Sequence, residues 1–154
     1  LQPFIDDGTD SRFAEGTPNR VKQLQMFGGT DNAYRLAKKH RIRTAFGTDV
    51  LFSAKAAAQQ NAMLLRLQRW YSNAEILRMA TADNAELLQL SGLRSPYPGR
   101  LGVVEAGALA DLLLVDGDPL ANLALLADPA RTLLVIMKDG KIYRNQLAVA
   151  APTN

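Results

Sequence analysis

The chain has no cysteine and a single histidine, His40, among its 154 residues. Disulfides, a zinc ribbon, iron–sulfur ligation and a cysteine nucleophile are therefore excluded. No multi-histidine metal site can be built from these residues alone. No apolar run approaches the roughly 18 residues of a membrane span, so no membrane partner is expected. The opening residues, Leu1-Gln2-Pro3-Phe4-Ile5-Asp6-Asp7, lack the basic start and long apolar core of a signal peptide. The missing cysteines leave the redox compartment open, with the cytoplasm as the default.

What is present is globular in composition. The chain is 47% hydrophobic and 21% charged, with 11 glycines and 7 prolines, which suits one ordinary domain or a piece of a larger one. The net charge of +3 is unevenly spread. Between Arg12 and Arg69 there are 11 basic residues against three acidic ones, whereas from Trp70 onward 7 basic residues face 9 acidic ones. The basic half includes Lys38, Lys39, Arg41 and Arg43 at a predicted helix end, where cations complement the helix dipole. No basic tract alternates with aromatics as base stacking requires, so nucleic acid is not an expected partner.

Residues 1–30 read as irregular. Leu1 to Ile5 suggests a short strand end broken by Pro3, and Asp6 to Ser11 has turn chemistry. A short helix is expected from Asn19 to Phe27, stopped by Gly28-Gly29. A second is expected to start at Thr30 as N-cap, with Ala33, Leu36 and Ala37 as its apolar stripe. Ile42 to Phe46 then reads as a short buried strand ending at Gly47-Thr48-Asp49. Ala54 to Tyr71 reads as one helix with Ala57, Leu64, Leu67 and Tyr71 on one face. Ser72-Asn73-Ala74-Glu75 is a capping box. The helix it opens carries Ile76, Leu77 and Ala80. Asp83-Asn84 is expected to link it to another helical turn, ending near Gly92 in a left-handed stop.

Beyond Arg94-Ser95-Pro96-Tyr97-Pro98-Gly99, which reads as a linker, strands are expected. The candidates are Gly102 to Glu105, Asp111 to Asp116, and a hairpin of Leu133 to Lys138 and Lys141 to Tyr143. Its Asp139-Gly140 pair suits a two-residue turn with positive φ. The helical half offers at most two strands, Leu1 to Ile5 and Ile42 to Phe46, and two parallel strands cannot bury both faces and both edges. Most of a sheet is therefore expected to lie outside this chain.

Four stretches in order carry a family resemblance: Ala45-Phe46-Gly47-Thr48-Asp49, then Glu75 to Ala85, then Leu101 to Leu120, then Met137 to Tyr143. The series resembles the metal-dependent amidohydrolases, in their imidazolonepropionase-like and Xaa-Pro dipeptidase-like branch. The resemblance implies an α/β fold, the C-terminal part of a TIM (β/α)8 barrel followed by strands of a small β-sandwich. Residues 1–93 would be the last barrel units, 94–146 the β-sandwich segment and 147–154 a tail.

The resemblance also implies chemistry. Such enzymes hold one or two divalent metals, zinc above all, at the carboxyl ends of the barrel strands. Most ligands come from histidines and a lysine or glutamate on earlier strands, and the last from an aspartate on the eighth strand, which maps onto Asp49. An acid suits that place independently of the family. A divalent metal lowers the pKa of bound water toward ~7, and a carboxylate beside it can take that proton and pass it to a leaving amine.

A barrel needs about 250 residues; this chain has 154. His40 lies in the helix before the strand and reads as a helix-end cation. The expected reading is the C-terminal part of a metal-dependent hydrolase of C–N bonds, in amides, cyclic amides or dipeptides. Asp49 is its one metal and catalytic residue here, and no metal is held by the chain alone. Its partners would be a small-molecule or dipeptide substrate, the amino-terminal part of the same protein and a second copy in a homo-oligomer. The competing reading is a non-catalytic interaction or oligomerisation module derived from a hydrolase. Thr48 is expected to orient Asp49. Gln2, Asp6 and Asp7 read as loop solvation, Asp116 and Asp118 as a turn, and Met63, Leu67, Trp70 and Tyr71 as packing.

Overall fold

The computed structural model describes residues 13–147. The readings of Leu1 to Ile5, Gln2, Asp6, Asp7 and the segment 148–154 lie outside the described residues.

The first element corrects the two-helix expectation. One helix, α1 (Pro18–Lys39), runs through Gly28-Gly29 without a break. Thr17 is its N-cap and accepts a hydrogen bond from the Arg20 amide, and Pro18 sits at the first helical position. Thr30, the expected N-cap, instead donates back to the Met26 carbonyl at 3.0 Å. Each glycine costs a helix interior up to about 1 kcal/mol. A continuous inward face offsets that cost: Gln23, Phe27 and Ala37 are buried and Tyr34 packs on the core. These positions follow the 3.6-residue period across the glycines. Of the predicted stripe only Ala37 is buried, and His40 caps the carboxyl end.

Ile42 to Phe46 is the second correction. The segment has no regular secondary structure and forms no strand, because no described residue supplies a neighbouring strand. A strand exists only through its ladder partner. The helix expected from Ala54 to Tyr71 is two pieces, α2 (Ala54–Ala58) and a 3₁₀ helix, Gln60–Arg69. Tightening to three residues per turn shifts the facing positions. Met63, Leu67 and Tyr71 are buried and Leu64 is half-buried, whereas Ala57, on α2, is exposed.

The capping box forms as expected, with Ser72 and Glu75 exchanging both bonds at the start of α3 (Asn73–Arg78). The expected link between two separate helices is absent at Asp83-Asn84. A π-helical turn, Met79–Asp83, joins α3 directly to α4 (Asn84–Gln89). Gly92 has φ +55 and opens a short 3₁₀ turn. Gly102 to Glu105 forms no strand either. Gly102, at φ +72, lies against the Thr81 carbonyl, so this stretch packs on the π-turn rather than in a sheet.

The sheet has three antiparallel strands in the order β1 (Leu112–Val115), β2 (Leu133–Lys138), β3 (Lys141–Asn145). Leu113 faces Ile136, and Ile136 faces Arg144. Asp139 (φ +49) and Gly140 (φ +73) make the two-residue turn between β2 and β3. A 3₁₀ turn, Leu123–Ala127, and the short α5 (Pro129–Thr132) connect β1 to β2.

The core sits where the helical half meets that connection. Leu67, Tyr71, Ile76, Met79 and Leu123 form one buried cluster, flanked by Tyr34, Phe46, Leu64, Trp70, Leu77 and Leu126. Ile76 and Leu123 are 0% exposed, each contributing about 1.5–3 kcal/mol by burial. Tyr34 stacks on Trp70 at 4.3 Å and meets Tyr71 edge-on at 5.8 Å. The expected packing roles of Trp70 and Tyr71 are thus observed. Outside the cluster, Ile42, Leu51, Phe52, Leu90, Leu93 and Val104 are exposed.

Candidate functional site

The segment carrying Asp49 starts where α1 ends. The Ile42 amide donates to the Ala37 carbonyl at 2.8 Å, and the chain then runs through Phe46 without regular secondary structure. Without a neighbouring strand, its hold on the rest of the fold comes from side chains of the π-turn and α4. Asn84 accepts from the Phe46 amide at 2.9 Å and donates to the Phe46 carbonyl at 3.0 Å. Its carboxamide thus presents one donor and one acceptor side by side, as an adjacent strand would. Arg43 pairs with Glu86 of α4 and lies 3.7 Å from Asp83. The Glu86 hydrogen bond raises the Arg43 pKa above its ordinary value.

Past Phe46 come Gly47, half-buried Thr48 and exposed Asp49. Asp49 has φ +50, and Phe52, three residues on, has φ +58 with its side chain in solvent. Aspartate enters the left-handed region more readily than most residues; phenylalanine there is strained by about 1–2 kcal/mol. The carboxylate thus stands at the end of an anchored segment, in a bend of uncommon backbone geometry.

Among the described residues, no three His, Cys, Asp or Glu side chains come together in a way that could hold a metal. Asp49 is a hard oxygen donor and suits a divalent cation as one ligand. A site needs further donors that the described residues do not bring to it. Thr48 immediately precedes Asp49 and is half-buried.

A cleft of about 640 Å³ lies beside the segment but does not reach Asp49. Its polar lining includes Arg43, Asp83, Glu86, Gln89 and Arg100. The charged groups are committed to one another or to near neighbours: Arg43 to Glu86, Arg78 to Asp83 at 3.2 Å, and Arg100 to Glu105. The Asp118 carboxylate accepts from the Leu120 amide at 2.8 Å, as a turn residue does. His40 is exposed at the end of α1.

A second network ties α1 to the 3₁₀ helix. Arg69 holds Asp31 with two bonds of 2.7 and 2.6 Å, and the Trp70 indole adds a third at 2.9 Å. The Arg69 bond is the main cause that keeps the Asp31 carboxyl below its usual pKa, against the opposing effect of burial. The Glu75 carboxyl is also lowered, first by the Ser72 amide, with Lys38 assisting. Sequence reasoning missed Asn84 and Asp31 as organising residues. For Asn84 the sequence offers only an amide next to Asp83 in a helical stretch.

Residues 21–143 match the model of the Amidohydrolase family. The chain belongs to that family. No curated protein is significantly similar to it. Among solved structures, it resembles an amidohydrolase with 30% identity and a TM-score of 0.68, covering 86% of this chain and 30% of that one. It also resembles a prolidase complexed with N-methylphosphonate-L-proline, with 26% identity and a TM-score of 0.68 over 85% of this chain and 30% of that one. A third, uncharacterized protein shares 25% identity with a TM-score of 0.67 over 82% of this chain and 29% of its own. The chain thus spans about 30% of the length of the structures it resembles. Such relatives are TIM-barrel-type enzymes, and helices with a small antiparallel sheet fit a part of one. Among the described residues, no helix is long and apolar enough to cross a membrane.

Proposed function

We propose that this chain is the C-terminal part of a metal-dependent hydrolase that cleaves C–N bonds in amides, cyclic amides or dipeptides. The observation that carries the proposal is the family match over residues 21–143, within which Asp49 follows a segment anchored at Phe46. Residues 1–93 would complete the barrel, and 94–146 would belong to a small β-sandwich. Asp49 supplies one carboxylate ligand, and the remaining donors come from the amino-terminal part of the same protein. What a divalent metal, zinc first, supplies there is a water acidified toward pKa ~7. The Asp49 carboxylate would be one ligand of that ion and the group able to hold and hand on a proton during C–N cleavage. The likeness to a prolidase holding a proline phosphonate favours a dipeptide or acylated amino acid as substrate. These residues alone turn over no substrate.

The test is made in the full-length gene product. Asp49→Asn is expected to abolish hydrolysis of an Xaa-Pro dipeptide panel and to lower zinc content, with the fold intact by circular dichroism. Unchanged zinc content and turnover would remove Asp49 from the site.

A second reading has its own supporting observation: exposed Ile42, Leu51 and Phe52 beside an acid that gathers no metal-binding group among the described residues. On that reading the chain is a non-catalytic oligomerisation module. A stable, metal-free oligomer formed by these residues as the whole gene product would favour it.

A further inference from the structure

We infer that Asn84 is a positioning residue for Asp49, acting through the backbone of Phe46. The inference rests on the assignment of Asp49 as a metal ligand and proton carrier. Three observations carry it. The carboxamide of Asn84 holds both backbone polar groups of Phe46, at 2.9 and 3.0 Å. Among the described residues, the backbone of 43–50 makes no bond to other backbone. And Asn84 stands directly after the π-turn Met79–Asp83. A π-turn inserts one extra residue into a helix and re-aims the side chains beyond it.

The geometry explains why an amide is required. The Phe46 amide needs an acceptor and its carbonyl a donor, a few ångströms apart on one edge of the chain. Asparagine offers both from one planar group. Aspartate keeps the acceptor, loses the donor and sets a carboxylate oxygen against the Phe46 carbonyl. Alanine leaves both half-buried backbone groups without this partner. Asp49 lies three positions past Phe46, so freedom at Phe46 becomes freedom at the carboxylate. A ligand displaced by as little as about 1 Å is a weakened one.

The experiment compares four forms of the full-length gene product: wild type, Asn84→Asp, Thr81→Ala and Asp49→Asn. Thr81 lies in the π-turn and its Oγ1 donates to the Leu77 carbonyl of α3 rather than to Phe46, so Thr81→Ala reports on the turn's stability. Zinc affinity is measured by competition with a chromophoric chelator, and exchange at the Phe46 amide by hydrogen–deuterium mass spectrometry. The expected result is tenfold or greater loss of zinc affinity in Asn84→Asp with faster exchange at Phe46. Thr81→Ala should match wild type in zinc affinity even if it melts earlier. Where a dipeptide is turned over, kcat should fall in Asn84→Asp with KM little changed. Wild-type zinc affinity in Asn84→Asp overturns the inference, as does a loss matched by Thr81→Ala in proportion to melting temperature. If Asp49→Asn itself binds zinc like wild type, the reading of Asp49 fails instead, and the positioning role falls with it.

Discussion

Gly102 and Thr81 meet so closely that a Cβ on Gly102 would lie 2.4 Å from the Thr81 carbonyl oxygen. The same glycine has φ +72. Both facts demand glycine, one by space and the other by backbone conformation. The contact presses the loop that leads to the sheet against the carbonyls of the π-turn. Gly102→Ala should therefore destabilise by about 2–5 kcal/mol, from left-handed strain of about 1–2 and overpacking of about 1–3. Urea denaturation followed by Trp70 fluorescence measures it, and a loss under about 1 kcal/mol would show that the loop yields easily.

The Asp31–Arg69 pair makes a pH prediction. Asp31 has a folded pKa below its unfolded value, first because of the Arg69 bond. A depressed carboxylate contributes stability above its unfolded pKa of about 3.9, and that contribution is lost as pH falls through the lower folded value. Both partners are partly exposed, at 30% and 45%, so solvent screening limits the pair to about 0.5–1 kcal/mol. Asp31→Asn should cost that amount at pH 7 and nothing near pH 2. Denaturation midpoints across that range test it; a cost that persists undiminished in acid would assign the effect to the Trp70 bond.

Tyr71 is 8% exposed, and its hydroxyl has no hydrogen-bond partner among the described residues. A buried unpaired hydroxyl costs about 1–3 kcal/mol in lost hydration. The ring itself packs against Tyr34 and beneath the Lys38 ammonium at 5.0 Å. Tyr71→Phe keeps both contacts and removes the orphan. It should leave stability unchanged or raise it by about 1 kcal/mol. A loss of about 1 kcal/mol or more in the full-length gene product would reveal a partner supplied from outside the described residues.

The contrast between the hairpin and the Asp49 segment shows what sequence can reveal. Asp139-Gly140 specifies its own turn through two positive φ angles, and the flanking strands pair with each other. Everything needed lies within one short stretch of chain. Ser72 and Glu75 are legible for the same reason, since a capping box closes within a single helical turn. Ile42 to Phe46 has the composition of a strand, but a strand needs a neighbour. Its partner here is an amide 38 residues away, delivered by a π-turn that no local pattern announces. Gly28-Gly29 misled in the opposite direction. Local propensity favoured a stop, while the inward face of α1 held the helix together through a glutamine and a tyrosine that hydropathy does not count as core. Asp49 was legible as a residue type at the end of a segment; its left-handed backbone and its anchoring through Phe46 were not.

The exposed apolar side chains lead to a last prediction. Phe52 and Leu93 are fully in solvent, and Ile42, Leu51, Leu90 and Val104 are mostly so. On the sheet, Leu113, Leu114, Ile142 and Tyr143 are also left largely uncovered. Single exposed apolar residues are ordinary, but so many on both the helical half and the sheet are costly to leave in water. Residues 1–154 expressed alone should therefore bind a hydrophobic dye strongly and elute as oligomers or aggregates. Adding the amino-terminal part of the same protein should suppress both effects by covering these surfaces. Size-exclusion chromatography with light scattering decides it. A monodisperse, protease-resistant monomer with little dye binding would mean that these surfaces need no partner, and would remove the physical reason for placing the chain inside a larger fold.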